Sequence, residues 1–571
     1  MKYSTGVSVA TLALLSSVSA NPILKHRQSR TNGSMVYDFT TLTSSTELNW
    51  TPCFNQFTCA LLKVPLDYEE PGVGTTDIAF IKWSTNATNS STQDILINPG
   101  GPGGSGVDFV MSGISIIQRY VGTAHNIIGF DPRSVNNSGP DISCFPGKEG
   151  TQRFYDEDLR RPVDINNTRS LGETFARAGA VGDWCSRVNP RNSSARYVNT
   201  VATATDMLTF VEAAAVARGE DKEKAKLSYF GISYGTVLGS TFAALFPDRI
   251  ERMILDAVVD LEDYYEGKWA NNLPDADGAV RTFFKACHEG GNSSCPLWAN
   301  SPEGVEKRFN AIFSDLTENP IPVSAVLNTN TPTIVTIDDL KAFIGQAAYA
   351  PADLFPILAN ILADLEKRDG DSLKTWSGSA ADADADSCSN NTARWRGVDY
   401  EPRYYIACND ANNRFNLSTL ANYTDYSRQQ YKQSQYLGEL WAAGTSVICR
   451  QLVVNPPESQ IFPATFPNIN STSTPILFVG NTLDPVTPLR HAKKMQGRFA
   501  GAGLLTQDSP GHAALAARSA CTSRYLQDYI RSGSLPPEGT VCKVEQVAFQ
   551  ASGRSTNGTT VTLRKRHTVG L

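Results

Sequence analysis

The chain has 571 residues, 41% of them hydrophobic and 19% charged, with a formal net charge of −6. At roughly 150 residues per domain that length suggests about four domains, although α/β folds often run larger as single units. The mild acidity argues against nucleic acid or an anionic membrane surface as the main partner.

Residues 1–20 read as a targeting signal. Lys2 precedes a short apolar run over 7–15, and Val18, Ser19 and Ala20 fit a small-residue cleavage site. The run is far short of the roughly 20 apolar residues a spanning helix needs, so secretion after cleavage at Ala20 is expected, with no membrane anchor. The basic stretch 21–30 reads as a short pro-segment or a flexible lead.

The 11 cysteines fit an oxidising compartment, where disulfides rather than metal sites are the default. Cys53 and Cys59, Cys287 and Cys295, and Cys521 and Cys542 look paired, although connectivity does not follow from sequence alone. The odd count leaves one thiol over, and Cys388 in its low-complexity patch is the candidate. No pair has zinc-type spacing and there are only six histidines, so no metal or cofactor is expected. Sequons at Asn49, Asn86, Asn136, Asn192, Asn292, Asn416, Asn422 and Asn470 suggest N-linked glycans.

Along the chain, 59–88 reads as two β segments around a Pro/Gly turn. The apolar strand Ile95, Leu96, Ile97 runs into the glycine-rich NPGGPGGSG at 98–106, and a further strand lies at 126–130. Helical spacing follows over 203–219, then the strand AKLSYFGIS, the helix YGTVLGSTFAALFP and the strand RMILDAVVD. This alternation predicts a mostly parallel sheet covered by helices on both faces. From 262 to 455 the pattern turns helical, interrupted by an Ala/Asp-rich loop at 377–392. The α/β pattern resumes with STPILFVGNTLDPVTPLRHAKKM. The expected organisation is therefore a signal (1–20), a split α/β core (21–261 and 456–550), a helical cap (262–455) and a mobile tail (551–571).

Gly231-Ile232-Ser233-Tyr234-Gly235 is a G-x-S-x-G motif. With 43 glycines in the chain, chance alone supplies about 0.2 such matches. Its context, a strand before and a helix after, is what a serine nucleophile on a strained turn requires. A serine hydroxyl needs a histidine base, and α/β-hydrolases place nucleophile, acid and histidine in that chain order. His26, His125 and His288 come too early, His567 lies in the tail, and His491 sits only seven residues past the best acid. His512, in a Ser-Pro-Gly loop, remains. Asp484, in the loop after a strand, is preferred as the acid over Asp508, which lies too close to His512 in sequence and lacks a strand to place it. Backbone N–H groups of Tyr234 and of Gly101, or alternatively Gly100, are the expected oxyanion donors.

Taken together, VPLDYEEP, NPGGPGGSG, GFDPRSV, LSYFGISYGT, ILDAVVD, IACND, NTLDPVTP and the segment from GHAALAARSAC to Cys542 resemble secreted α/β-hydrolase peptidases of the prolyl and tripeptidyl aminopeptidase type. The resemblance spans 53–542 and includes the family's C-terminal region. It implies an α/β-hydrolase fold with a helical cap, cleavage near a free N-terminus, Ser233, Asp484 and His512 as the triad, and a Cys521–Cys542 disulfide. Asn98 stands where relatives of the proline-iminopeptidase kind have other residues near the oxyanion loop, and two further features depart from the family. A long segment, 134–200, precedes the nucleophile strand, with Cys144 and Cys185 as its staple. Ser134 stands where the family has a turn glycine.

A free α-amino group calls for a negative partner in a dry pocket, and Glu262, Asp263, Glu266 and Asp410 are the candidates. The substrate is then a peptide or small acyl compound. The alternative reading is a secreted carboxylesterase or lactone hydrolase with the same triad, because fold and triad do not fix the substrate.

Overall fold

The computed structural model describes residues 35–85, 92–324, 332–377 and 400–550. The expected signal and tail, Cys388 and Asn86 lie outside the described residues.

β1 (Thr51–Cys53), β2 (Phe57–Pro65) and β3 (Thr75–Trp83) form an antiparallel edge. After them come β4 (Asp94–Asn98), α1 (Gly106–Val121), β5 (Asn126–Phe130), α2 (Glu149–Leu159), α3 (Thr168–Val188), α4 (Thr200–Ala217), β6 (Leu227–Ile232), α5 (Tyr234–Leu245) and β7 (Ile250–Asp256). Then come α6 (Leu261–Tyr265), α7 (Ala276–Gly290), α8 (Pro302–Glu318), the hairpin β8 (Ile321–Val323) and β9 (Thr333–Val335), α9 (Ile337–Tyr349), α10 (Pro351–Leu365) and α11 (Asp371–Ser377). α12 (Tyr400–Ala411), α13 (Leu420–Gln433), α14 (Gly438–Ala442) and α15 (Thr445–Cys449) complete this helical stretch. The chain closes with β10 (Leu477–Leu483), α16 (Leu489–Gln496), β11 (Gly503–Pro510), α17 (Ala520–Ser532) and β12 (Val541–Lys543).

The main sheet has ten strands in the order β1-β2-β3-β5-β4-β6-β7-β10-β11-β12. From β5 to β12 every neighbouring pair is parallel. The strand order reverses beside β4, where ligand crevices form in open parallel sheets. Every residue of β6 is buried, in keeping with its mostly apolar sequence. α4 is long and apolar enough to cross a membrane by composition, yet 61% of it is buried in the fold, as expected of a core helix. The fold is therefore an α/β-hydrolase sheet with a helical insertion between β7 and β10.

That insertion has two parts. α7 to α11 enclose their own apolar core, built around Phe283, Phe309, Phe343 and Phe355. Residues of α12, α13 and α15 instead join the core on one face of the main sheet, together with α3. The 134–200 segment thus supplies helices packed beside the insertion. Disulfides join Cys53–Cys59, Cys144–Cys185, Cys287–Cys295, Cys408–Cys449 and Cys521–Cys542. Cys408–Cys449, linking α12 to α15, has no short spacing to mark it in the sequence. Ser134 takes the left-handed conformation of the missing glycine, at φ 66°, held by its N–H on the Gly139 carbonyl and its Oγ on that of Pro140.

One buried pair pins the loops above the sheet. Arg133 follows β5 and gives Asp206 of α4 two bonds of 2.7 and 2.8 Å, and it also donates to the carbonyls of Pro65, Leu66 and Tyr197. Both side chains are essentially inaccessible. Removing one partner of such a pair leaves an uncompensated buried charge. Arg133→Met should cost about 3–5 kcal/mol in chemical denaturation; wild-type stability in that variant would contradict this role.

Candidate active site

Ser233 stands between β6 and α5 at φ 58°, ψ −123°, a left-handed backbone that a serine adopts only under constraint. The constraint is lack of room. A Cβ at Gly231 would lie 2.4 Å from the Gly235 carbonyl oxygen, one at Gly235 would lie 2.7 Å from that of Asn98, and one at Gly100 would lie 2.4 Å from that of Ile232. The turn is held by the Ser233 N–H on the Asp256 carbonyl at 3.0 Å and the Thr236 hydroxyl on the Ser233 carbonyl at 2.7 Å. Ser233 itself is half-buried.

His512 lies in the loop after β11. Its Nδ1 is 3.0 Å from each carboxylate oxygen of Asp484, which follows β10. Asp484 is fully buried and also accepts the N–H groups of Val486, Thr487 and Ala513 at 2.8 to 3.1 Å. Burial pushes its pKa up, but the adjacent His512 and these donors outweigh burial and hold it below the ordinary carboxylate value. The Thr487 hydroxyl lies 3.1 Å from the same Nδ1. Nε2 of His512 is buried without a hydrogen-bond partner. Asp508, the rival acid, instead accepts from Thr482 at 3.2 Å.

Gly101, Ser233 and Tyr234 line one cavity. The Gly100 N–H is already spent on Asn98 Oδ1 at 2.9 Å, whereas those of Gly101 and Tyr234 donate to no described acceptor. Val259, Tyr264, Trp269, Trp441 and Val486 give the cavity apolar and aromatic walls. Asn272 and Arg403 add polar groups. Asn272 donates to the Val486 carbonyl at 2.9 Å, and its buried Oδ1 has no partner. Among the described residues, no cluster of three or more His, Cys, Asp and Glu side chains is placed to hold a metal ion.

The four acidic candidates do not line this cavity. Glu262 pairs with Lys494 at 2.7 Å and Arg498 at 2.5 Å, fastening the insertion to α16. Glu266 pairs with Lys268. Asp263 accepts the N–H groups of Ala270 and Asn271 and so shapes the loop that presents Trp269 and Asn272. Asp410 is buried one layer behind the cavity wall and accepts from the Thr200 N–H at 2.9 Å, the Thr200 hydroxyl at 2.5 Å and the Tyr264 hydroxyl at 2.7 Å. Tyr234 is 2.6 Å from the Thr200 hydroxyl, so Asp410 orients the Tyr234 ring indirectly. Burial raises the Asp410 pKa to about 6. A count of acidic residues near the insertion could not distinguish spent carboxylates from free ones.

The sequence reading also passed over Asp256. Its backbone carbonyl holds the Ser233 N–H, and its Oδ2 accepts the Ala514 N–H at 2.9 Å, two residues past His512. One residue thereby ties the serine turn to the histidine loop. Its other oxygen is buried without a partner. Burial raises this carboxyl from an ordinary 3.8 to about 7, with Asp484 adding repulsion. Between those values the folded state holds a proton that the unfolded state releases, so stability falls as pH rises through the window. Asp256→Asn keeps an acceptor for Ala514 without titrating. Its melting temperature should fall less than that of the wild type from about pH 4 to pH 7; parallel pH curves would contradict this.

Comparison with known proteins gives concordant relationships. Residues 434–542 match the family model described as TAP-like protein. Serine protease Hip1 of Mycobacterium tuberculosis is 27% identical over 514 residues, covering 87% of this chain and 91% of that protein. Tripeptidyl aminopeptidase of Streptomyces lividans is 32% identical over 228 residues, covering 37% of this chain and 39% of that protein. Carboxylesterase B of M. tuberculosis is 25% identical over 495 residues, covering 85% of this chain and 86% of that protein. The chain thus has an α/β-hydrolase fold with a TAP-like segment at 434–542, and is similar over most of its length to serine protease Hip1 and over a shorter stretch to tripeptidyl aminopeptidase.

Proposed function

We propose that this chain is a secreted serine exopeptidase that releases short peptides or residues from free N-termini. The observation that carries the chemistry is the state of His512, with Nδ1 bound by buried Asp484 and Nε2 unpartnered. In this reading Ser233 Oγ attacks the scissile carbonyl and Nε2 takes its proton. Asp484 stabilises the imidazolium, and the N–H groups of Tyr234 and Gly101 hold the oxyanion. His512 then protonates the leaving amine, and water releases the acyl group from Ser233.

The substrate class is supported by two relatives, a serine protease and a tripeptidyl aminopeptidase. The aromatic cavity suits a short free-ended chain better than a loop of a folded protein. In place of a carboxylate for the α-amino group, it offers the buried, unpartnered Asn272 Oδ1. The signal-like segment 1–20 and the five disulfides fit secretion. Glycans suit the exposed Asn49, Asn192, Asn292, Asn416, Asn422 and Asn470. Asn136 suits one poorly, since its amide donates to Ser105 at 3.2 Å and its sequon hydroxyl, Ser138, is buried.

Unblocked and N-acetylated short peptides, followed by mass spectrometry, test the reading. Unblocked peptides should lose N-terminal fragments, and acetylation should slow cleavage about tenfold or more, the worth of a charge-assisted hydrogen bond. Equal cleavage of blocked peptides would refute action at the N-terminus. Hydrolysis of short aryl esters alone would favour the esterase reading, to which the name of the third relative points.

A further inference from the structure

Arg403 is the one charged side chain among the described residues that line the cavity holding Ser233. It is only 8% exposed, and its guanidinium carbon lies 5.9 Å from the centre of the Trp269 ring. No described carboxylate pairs with it, and it donates no hydrogen bond to a described residue. Two other arginines near the site are treated differently. Arg133 has Asp206, and Arg414, on the turn after α12, donates to the carbonyls of Tyr265, Asp410 and Phe462. Nearby carboxylates are also committed. Glu401 accepts from the Cys144 N–H, and Asp410 serves Thr200 and Tyr264.

Burying a guanidinium without an anion is costly, and contact with an indole face offsets only part of that cost. The contact is built rather than incidental. The Trp269 carbonyl accepts the Trp441 indole N–H at 3.0 Å, and the Tyr264 ring packs edge-on at 5.4 Å. The planar guanidinium, with five donors, is matched to a carboxylate.

We propose that Arg403 receives a carboxylate of the substrate, so that short peptides carrying a negative charge are preferred in this cavity. The inference rests on the peptidase reading for its substrate class. The carboxylate is either the free C-terminus of a very short peptide or an acidic side chain.

Steady-state kinetics on tetra-alanine as free acid, as C-terminal amide, and as amides with a single glutamate at each position tests this in the wild type, without a variant. At least one carboxylate-bearing peptide should exceed the neutral amide in kcat/KM by about 30-fold. Preference for the free acid identifies the C-terminus, and preference for a glutamate amide identifies a side chain. Arg403→Gln should erase that advantage, costing the charged peptides at least about tenfold more than the neutral amide, whereas Arg403→Lys should retain part of it. Equal rates for charged and neutral peptides in the wild type, or equal losses on both in a folded Arg403→Gln, would overturn the proposal. If no peptide is cleaved and only esters are, the peptidase reading falls. The comparison of monoaryl succinate with aryl butyrate then decides Arg403 separately: a succinate advantage lost in Arg403→Gln supports it, and no advantage overturns it.

Discussion

The serine turn between β6 and α5 is the constraint on which the rest of the site depends. It brings a strand end, a helix start and the glycine-rich loop into contact so close that Gly100, Gly231 and Gly235 have no room for a Cβ. A left-handed serine costs of order 1–3 kcal/mol and persists only where its surroundings over-determine it. Here the surroundings are adjacent parallel strands. Asn98 of β4 is in register with Gly231, and Asp256 of β7 with Ile232. Three neighbouring strand ends thus deliver the glycine-rich loop, the serine and the residue that anchors the histidine loop.

Three buried aspartates around this turn show how partners set charge. Asp484 gathers three backbone N–H groups and His512, which outweigh its burial and keep it ionised. Asp256 has one backbone donor and the repulsion of Asp484, and its pKa rises to about 7. Asp410 has two hydroxyls and one N–H, and lies between them at about 6. The chemical group is the same in each case. Donor count and neighbouring charge separate an acid suited to orient a histidine from carboxyls suited to brace the framework.

Much of this was legible in the sequence because the α/β-hydrolase order is written along the chain. The strand–turn–helix around Ser233, the glycine loop before it, and Asp484 and His512 after it each follow a local pattern. The substrate end of the site was less legible. Arg403 of α12 meets Trp269 and Asn272, which share the loop after α6, only through tertiary packing. No periodicity or motif links them. The acidic candidates are the converse case: Glu262 and Asp263 are conspicuous in sequence, yet their partners Lys494 and the Ala270 N–H are revealed only by the fold. Thr487 lay in plain view in NTLDPVTP, three residues past Asp484, but its contact with His512 depends on the curl of that loop.

The central claim is that Ser233 is the nucleophile of this fold. Reaction with a fluorophosphonate, followed by intact-mass measurement and peptide mapping, tests it most directly. One adduct per chain is expected, located on Ser233, together with a folded Ser233→Ala protein that neither labels nor turns over substrate above about one part in 10⁴ of the wild-type rate. An adduct on another residue, or a Ser233→Ala protein that remains active, would contradict it.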